Sequence, residues 1–256
     1  MRSPHRWRVR SRQIRKGQAM KEARRLSRPA RHRLLSANLI TFVLCHCAAA
    51  ELVSYWAADG NANDSAGPNS GAAVGTVNYS QGMIAQAFDL AATGYINISN
   101  PVTGGLESVT NFTVTAWILR NGVGSIWGTA SLANLRTTAN SSGFSIEEVY
   151  TQPGSLGFVV NTTGGTPTYA AVGVTAAGWV FDTFHHIAAT FDAATHTMVL
   201  YRDGEIVASR NDLPGTVMIA NSESAFQIGR NIVNNSRWNG LIDDVRFYNT
   251  ALSQSE

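Results

Sequence analysis

Asp59, Asn61 and Asn63 occupy alternate positions in "DGNAND", and Asp64 follows directly. This D-x-N-x-N spacing presents a side-chain oxygen at every second residue, as the start of a calcium loop does. It does not continue as an EF-hand: the sixth position is Asp64 where glycine is required, and the twelfth is Ser70 where a bidentate glutamate is required. Ca2+ accepts about 6–8 oxygens drawn from carboxylates, amides and carbonyls, so all four residues are candidate ligands of a structural ion. The same residues also make ordinary turns, and both readings stay open. A second acidic pair, Asp243 and Asp244, lies inside "GLIDDVRFYNTALS" (240–253), where Leu241, Val245 and Phe247 look like the core side of a strand. Strands are poor in Asp, and burying an unpaired charge is costly. One of this pair is expected to complete the calcium site or to accept backbone N–H groups, while the other faces solvent with Arg246.

Catalysis finds less support. Neighbours on a strand point to opposite faces, whereas alternate residues share one. Glu147–Glu148 and Asp243–Asp244 are adjacent pairs, so neither puts two carboxyls on one face of a regular strand. A retaining glycosidase needs two carboxyls about 5–5.5 Å apart. No catalytic residue is assigned, and a glycan-cleaving enzyme is the least favoured class. The same argument stops His185–His186 from chelating one ion jointly; one ring is expected inward and hydrogen-bonded, the other outward. Sugar binding uses exposed aromatic platforms, and Trp127, Tyr150, Tyr169, Trp179 and Trp238 fall in or near polar segments as candidates. Trp56, Trp117 and Phe247 read as core.

Charge is distributed unevenly. Of 20 Lys and Arg, thirteen precede residue 51, where Glu22 is the single acid. Residues 51–256 keep seven Arg against sixteen acids and contain no Lys, which excludes a nucleic-acid reading of the whole chain. The basic head runs into "LLSANLITFVL" (34–44) and then "CHCAAA", the order of a secretory signal peptide. That apolar run is shorter than the roughly 20 residues of a stable membrane span. Ala48 and Ala50 fit the small positions before a cut, and Met20 offers an alternative start. Cys45 and Cys47 both lie in this leader, so residues 51–256 hold no disulfide and no thiolate metal site.

After Glu51, short alternating or β-branched runs recur between Gly, Asn, Asp, Ser and Thr clusters, the pattern of an all-β sandwich or barrel. "HHIAATFD", "TMVLY" and "EIVAS" are the clearest strands, and Asp203–Gly204 between the last two predicts a tight hairpin with positive φ. "NFTVTAWI", "FHHIAATFD", "LYRDGEIVAS", "FQIGR" and "WNGLIDDVRFYNTALSQSE" occur in the order found in laminin-G-like jelly-roll domains, and "SYWAADGNANDSAG" resembles their first strand. The chain from about residue 52 to 256 therefore resembles that family, within the concanavalin A-like lectins and glucanases. The resemblance implies an all-β, two-sheet antiparallel jelly-roll sandwich with first and last strands side by side. It thereby implies that Asp243 or Asp244 comes near the 59–64 loop.

Two segments are expected: a leader and signal peptide over 1–50, and one jelly-roll domain over 51–256. The expected function is a secreted, non-catalytic binding module that recognises a carbohydrate or an extracellular protein. A surface interaction domain without sugar affinity is the alternative. The exported form, extracellular or periplasmic, should begin at or near Glu51. N-terminal sequencing that finds an intact "MRSPHRWRVR" on exported protein would refute the cut.

Overall fold

The computed structural model describes residues 50–99, 104–106, 110–121, 131–135, 143–148, 155–162, 169–174, 182–213 and 225–256. Two compact units are separated, 1–47 and 48–256, and the described residues all belong to the second. They form two antiparallel sheets and contain no helix. The larger sheet runs β13 (Glu205–Arg210), β12 (Thr197–Arg202), β11 (His185–Asp192), β6 (Asn111–Arg120), β15 (Gly240–Tyr248), β4 (Gln86–Asp89) and β3 (Asn78–Gln81). β1 (Leu52–Trp56) also pairs with β15, so the first and last strands are neighbours, as the resemblance implied. The smaller sheet runs β10 (Tyr169–Val174), β9 (Leu156–Asn161), β8 (Phe144–Glu148), β7 (Ser131–Asn134), β14 (Phe226–Ile228), β5 (Tyr95–Ile98) and β2 (Ala72–Val74).

Alternation decides which residues meet between the sheets. On β6, Phe112, Val114, Ala116 and Ile118 are fully buried and belong to the core. The Phe112 ring lies 4.6 Å from that of Phe144 and 6.0 Å from that of Phe158, joining the larger sheet to β8 and β9. Phe191 and Phe247 pack on Phe112 at 5.5 and 5.8 Å. Trp56 stacks on Phe226 at 5.3 Å and fastens β1 to β14. Each fully buried aromatic ring removes enough apolar surface to contribute roughly 2–3 kcal/mol.

The hairpin between β12 and β13 follows its sequence signal: Asp203 and Gly204 have φ of +53° and +83°. β15 does not follow a simple alternation. Ile242, Val245 and Phe247 are the core residues, rather than Leu241, which is half-buried. Positions 242 and 245 share a face because the strand carries a bulge. Asp243 pairs with Trp117 and Arg246 with Thr115, so one extra residue is taken up between them. Asp244 absorbs it with φ of +53°, a conformation Asp tolerates better than most L-residues. At this bulge β15 exchanges one neighbour for another: Leu241 and Ile242 pair with β4, while Val245 to Tyr248 pair with β1.

The loop after β1 is organised by Asp64. Its Oδ1 accepts the N–H groups of Tyr55, Ala66 and Gly67 at 2.9–3.0 Å, and its Oδ2 accepts that of Asn69 at 2.9 Å. Burial pushes the Asp64 carboxyl up, but the four amides outweigh it and hold the group below its ordinary value. The stability this carboxylate contributes is present above about pH 4 and is lost as pH falls further. Asp64→Ala should cost roughly 2–3 kcal/mol at pH 7 by stranding several amides. That cost should shrink below pH 3, and equal melting temperatures for parent and variant at pH 7 would overturn this account.

Candidate functional site

The larger sheet presents its second face away from the core. Thr113, Thr115 and Trp117 of β6 point there because their neighbours point inward. Cross-strand register lines up Tyr55, Arg246, Thr115, Ala188 and Tyr201 as one row across β1, β15, β6, β11 and β12. A second row holds Tyr248, Thr113 and Thr190. Small side chains, Thr115 and Ala188 in the first row and Thr113 and Thr190 in the second, lie between larger ones, which leaves a cleft of about 250 Å3. Thr113, Thr115, Ala188 and Thr190 form its floor; His186, Tyr201, Arg246 and Tyr248 form walls.

The C-terminal segment closes one side. Thr113 Oγ1 donates to the Thr250 carbonyl (2.7 Å) and accepts the Leu252 N–H (2.9 Å). The Gln254 amide donates to the Gly204 carbonyl at 2.9 Å, reaching the β12–β13 hairpin. Leu252, Ser253, Gln254 and Glu256 thereby line the cleft.

Its walls are held from behind. The Arg246 guanidinium lies 4.7 Å over the Tyr55 ring and bonds Asp244 at 3.3 Å, while the Tyr55 hydroxyl donates to the other Asp244 oxygen. Burial opposes the charge on Arg246, yet Tyr55 and Asp244 raise its pKa above the ordinary value. Burial and the Asp244 carboxylate raise that of Tyr55. The His186 ring packs edge-on against Trp117 at 5.1 Å. Burial, then the Arg246 cation, lowers its pKa, so the ring is neutral at pH 7 and can both donate and accept. His185 instead bonds Asp203 at 2.7 Å, whose other oxygen accepts the His186 N–H. The two rings therefore have separate partners, although Asp203 also takes the His186 backbone N–H.

The residues proposed from sequence as metal ligands separate into three groups. Asp64 is engaged by its own loop, and Asn61 Oδ1 accepts the Asn63 N–H in a local turn. Asp244 serves Tyr55 and Arg246; it is buried, not solvent-facing as the sequence suggested. Asp59 and Asp243 instead bond a different segment, the β3–β4 turn and the first residue of β4. Asp59 Oδ1 accepts the Gln86 N–H and Asp243 Oδ2 the Ile84 N–H, both at 2.9 Å. Gly82 is required there, since a Cβ would lie 2.6 Å from Asp243 Oδ2. Asp243 Oδ1 is buried without a hydrogen-bond partner. Among the described residues no three His, Cys, Asp or Glu side chains converge on one point.

Of the aromatic candidates, Trp127, Tyr150 and Trp179 lie outside the described residues, and Tyr169 opens β10. Trp238 is 1% exposed and its indole donates to the Leu119 carbonyl at 3.3 Å, which corrects its reading as an exposed platform. Trp117 requires the opposite correction, being half-buried on the outer face rather than core. The signal for it was present in β6, where Val114, Ala116 and Ile118 settle the parity. Glu148 pairs with Arg120 at 2.8 Å, and Glu147 accepts from Ser145 and Asn231.

A family model described as the concanavalin A-like lectin/glucanases superfamily (Laminin_G_3) matches residues 90–256. The chain belongs to this family. No curated protein matches it. Among solved structures, it resembles domain 4 of AbnA, a GH43 extracellular arabinanase from Geobacillus stearothermophilus, in complex with arabinotriose. The TM-score is 0.63 at 20% identity over 80% of this chain and 96% of that one. The binding domain of botulinum neurotoxin DC, in complex with SialylT, aligns with a TM-score of 0.58 at 16% identity over 80% of this chain. The chain spans about half the length of that domain, 49%. The botulinum neurotoxin serotype D ligand-binding domain, in complex with N-acetylneuraminic acid, gives 0.57 and 16% over 80% of this chain and 49% of that one. These likenesses establish the jelly-roll sandwich.

Burial raises the Asp243 carboxyl to about 6, with Asp244 adding to it against the favourable Ile84 amide. The folded state therefore takes up this proton before the unfolded chain does. The group's contribution to stability grows as pH falls from above 6 to about 4, so ionised Asp243 weakens the metal-free fold at pH 7. In chelator, the difference should be on the order of 1–3 kcal/mol between pH 7.5 and 5. Asp243→Asn should flatten that rise in a melting series, and an unchanged rise would show that another group causes it.

Proposed function

We propose that the chain is a secreted, non-catalytic binding module whose outer-sheet cleft takes a neutral carbohydrate unit. One observation carries this reading: a cleft floored by Thr115 and Thr190 between tyrosine and histidine walls, on the outer face of a jelly-roll sheet. Hydroxyls and a neutral imidazole exchange hydrogen bonds with sugar hydroxyls in both directions, while Tyr rings offer apolar faces to a sugar ring. Among the described residues Glu256 is the one carboxylate that lines the cleft, whereas glycoside hydrolysis generally uses two. The arabinotriose complex of a similar fold supports a neutral ligand, and the N-acetylneuraminic acid complex of another supports carbohydrate only in the broader sense. The leader in residues 1–50 supports export, and no helix among the described residues is long and apolar enough to cross a membrane.

A structural calcium ion is a second reading, supported by Asp243. A buried carboxylate with an unpartnered oxygen, close to the turn that also holds Asp59, suits a cation. Asp59 and Asp243 would hold the ion, with backbone carbonyls completing the shell. Its charge would keep Asp243 ionised and tie the β3–β4 turn to β15. Calcium, but not magnesium, should then raise the melting temperature at pH 7 after chelation. Asp243→Ala should remove the response, and no response in the parent would sink the ion.

Affinity electrophoresis against arabinan, xylan and β-glucan tests the carbohydrate reading. At least one neutral polysaccharide should retard the protein, and His186→Ala and Tyr201→Ala should each weaken retention about tenfold, roughly 1.4 kcal/mol. Retention unchanged in both variants would move sugar binding away from the cleft and overturn this site, and no retention on any gel would leave an interaction domain without sugar affinity. Reducing-sugar release that disappears in Glu256→Gln would instead make the protein a hydrolase.

A further inference from the structure

Residues 51–256 hold seven arginines and no lysine. Four arginines stand within 4.0 Å of a carboxylate: Arg120 at Glu148, Arg202 at Asp203, Arg210 at Asp212 and Arg246 at Asp244. Arg136 lies outside the described residues. Arg230 and Arg237 have no ion pair among the described residues, and they oppose each other across an isolated antiparallel bridge. Their guanidinium carbons lie 4.8 and 5.4 Å from the centroid of one ring, that of Tyr95.

Like charges placed opposite each other repel, and this domain has sixteen acids from which a counter-charge could have come. The groups that hold the pair are neutral. Arg230 Nε donates to Asn235 Oδ1 at 2.9 Å, and its Nη1 donates to the Tyr95 hydroxyl and to Gln227 Oε1 at 3.3 and 3.4 Å. Arg237 Nη1 donates to the Thr93 carbonyl. A guanidinium carries five N–H groups, so donors remain on both side chains. Both are half-buried, with their stems fixed and part of each head in solvent. Glu147, on the same side of the smaller sheet, is engaged by Ser145 and Asn231 instead. Beside the pair, the Gln227 amide donates to Asn97 Oδ1 at 2.9 Å, giving a short row of amides along β14 and β5.

We propose that Arg230, Tyr95 and Arg237 form an oxyanion-recognition site that takes a carboxylate or sulfate carried on a sugar ring, with Gln227 and Asn97 beside it for hydroxyls. Arginine forks match planar and tetrahedral oxyanions with paired N–H bonds, which a diffuse positive field does not. An anion between them removes the repulsion that the fold otherwise leaves in place. The sugar part of this assignment rests on the carbohydrate reading; the anion part does not. The site lies on the opposite sheet from the cleft, so the two can fail separately.

The test uses the full chain on affinity gels containing polygalacturonate, dextran sulfate or neutral dextran at 0.15 M NaCl. Polygalacturonate retardation identifies a carboxylate, dextran sulfate retardation a sulfate ester, and either supports the site. The double variant Arg230→Gln/Arg237→Gln should lose at least about tenfold in retention. The charge-matched Arg202→Gln/Arg210→Gln should keep it, and the basic residues 1–50 are common to all three chains. Equal losses in both double variants would mean unspecific attraction and overturn the proposal, as would parent-like retention in the first. A second measurement avoids variants altogether: free galacturonate should release the bound parent chain at concentrations where galactose does not. Equal release by the two sugars would also overturn it. Anionic binding without any neutral-glycan binding would remove the cleft reading and leave this one standing.

Discussion

Strand β15 has to serve two neighbours on one of its edges, and the fold depends on how it does so. β4 covers its first part and β1 its last; both are antiparallel to β15, so β1 ends where β4 begins. A regular strand would leave the amides between them without acceptors and would turn Val245 and Phe247 away from the core. The bulge at Asp244 resolves the second problem by shifting parity by one residue. Asp243 bears on the first by taking the Ile84 amide of the β3–β4 turn, while Asp244 holds the Tyr55 hydroxyl and the Arg246 guanidinium. An acidic pair that looks misplaced in a strand is thus the joint between three strands.

The cleft follows from the same joint. Once Arg246 is turned outward, Tyr55 and Asp244 fix its head, and it becomes the end of a row whose centre is Thr115 and Ala188. Large residues at the ends and small ones between them produce a depression on a surface that would otherwise be flat. The C-terminal segment then deepens it, anchored through the Thr113 hydroxyl. The shape of this face is therefore coupled to the register of β15.

Charge separates the two faces. Around the cleft, Arg246 is neutralised by a buried partner and His186 is uncharged at pH 7, so the walls suit a neutral ligand. On the smaller sheet, Arg230 and Arg237 are set against the Tyr95 ring and have no ion pair among the described residues. A net-acidic domain can still carry a local cationic site, because Coulomb interactions between exposed groups are screened within about 8–10 Å.

Much of the architecture was legible in the amino-acid order. The β-strand pattern and the Asp203–Gly204 hairpin are local properties, set by side-chain alternation and by which residues accept positive φ, and the β6 alternation also held the outward parity of Trp117 that the core reading missed. The role of Asp64 was legible only as a choice between turn and metal ligand, since one oxygen geometry serves both. Tertiary structure decided the rest. Adjacent residues in a strand point apart unless a bulge intervenes, and nothing local announces a bulge built on Asp rather than Gly. Trp238 was expected to be exposed and is buried, because the depth of an aromatic in a loop depends on what packs over it. The Tyr55–Arg246–Thr115–Ala188–Tyr201 row joins five strands whose order in the sheet is not their order in the chain, and so exists only after folding.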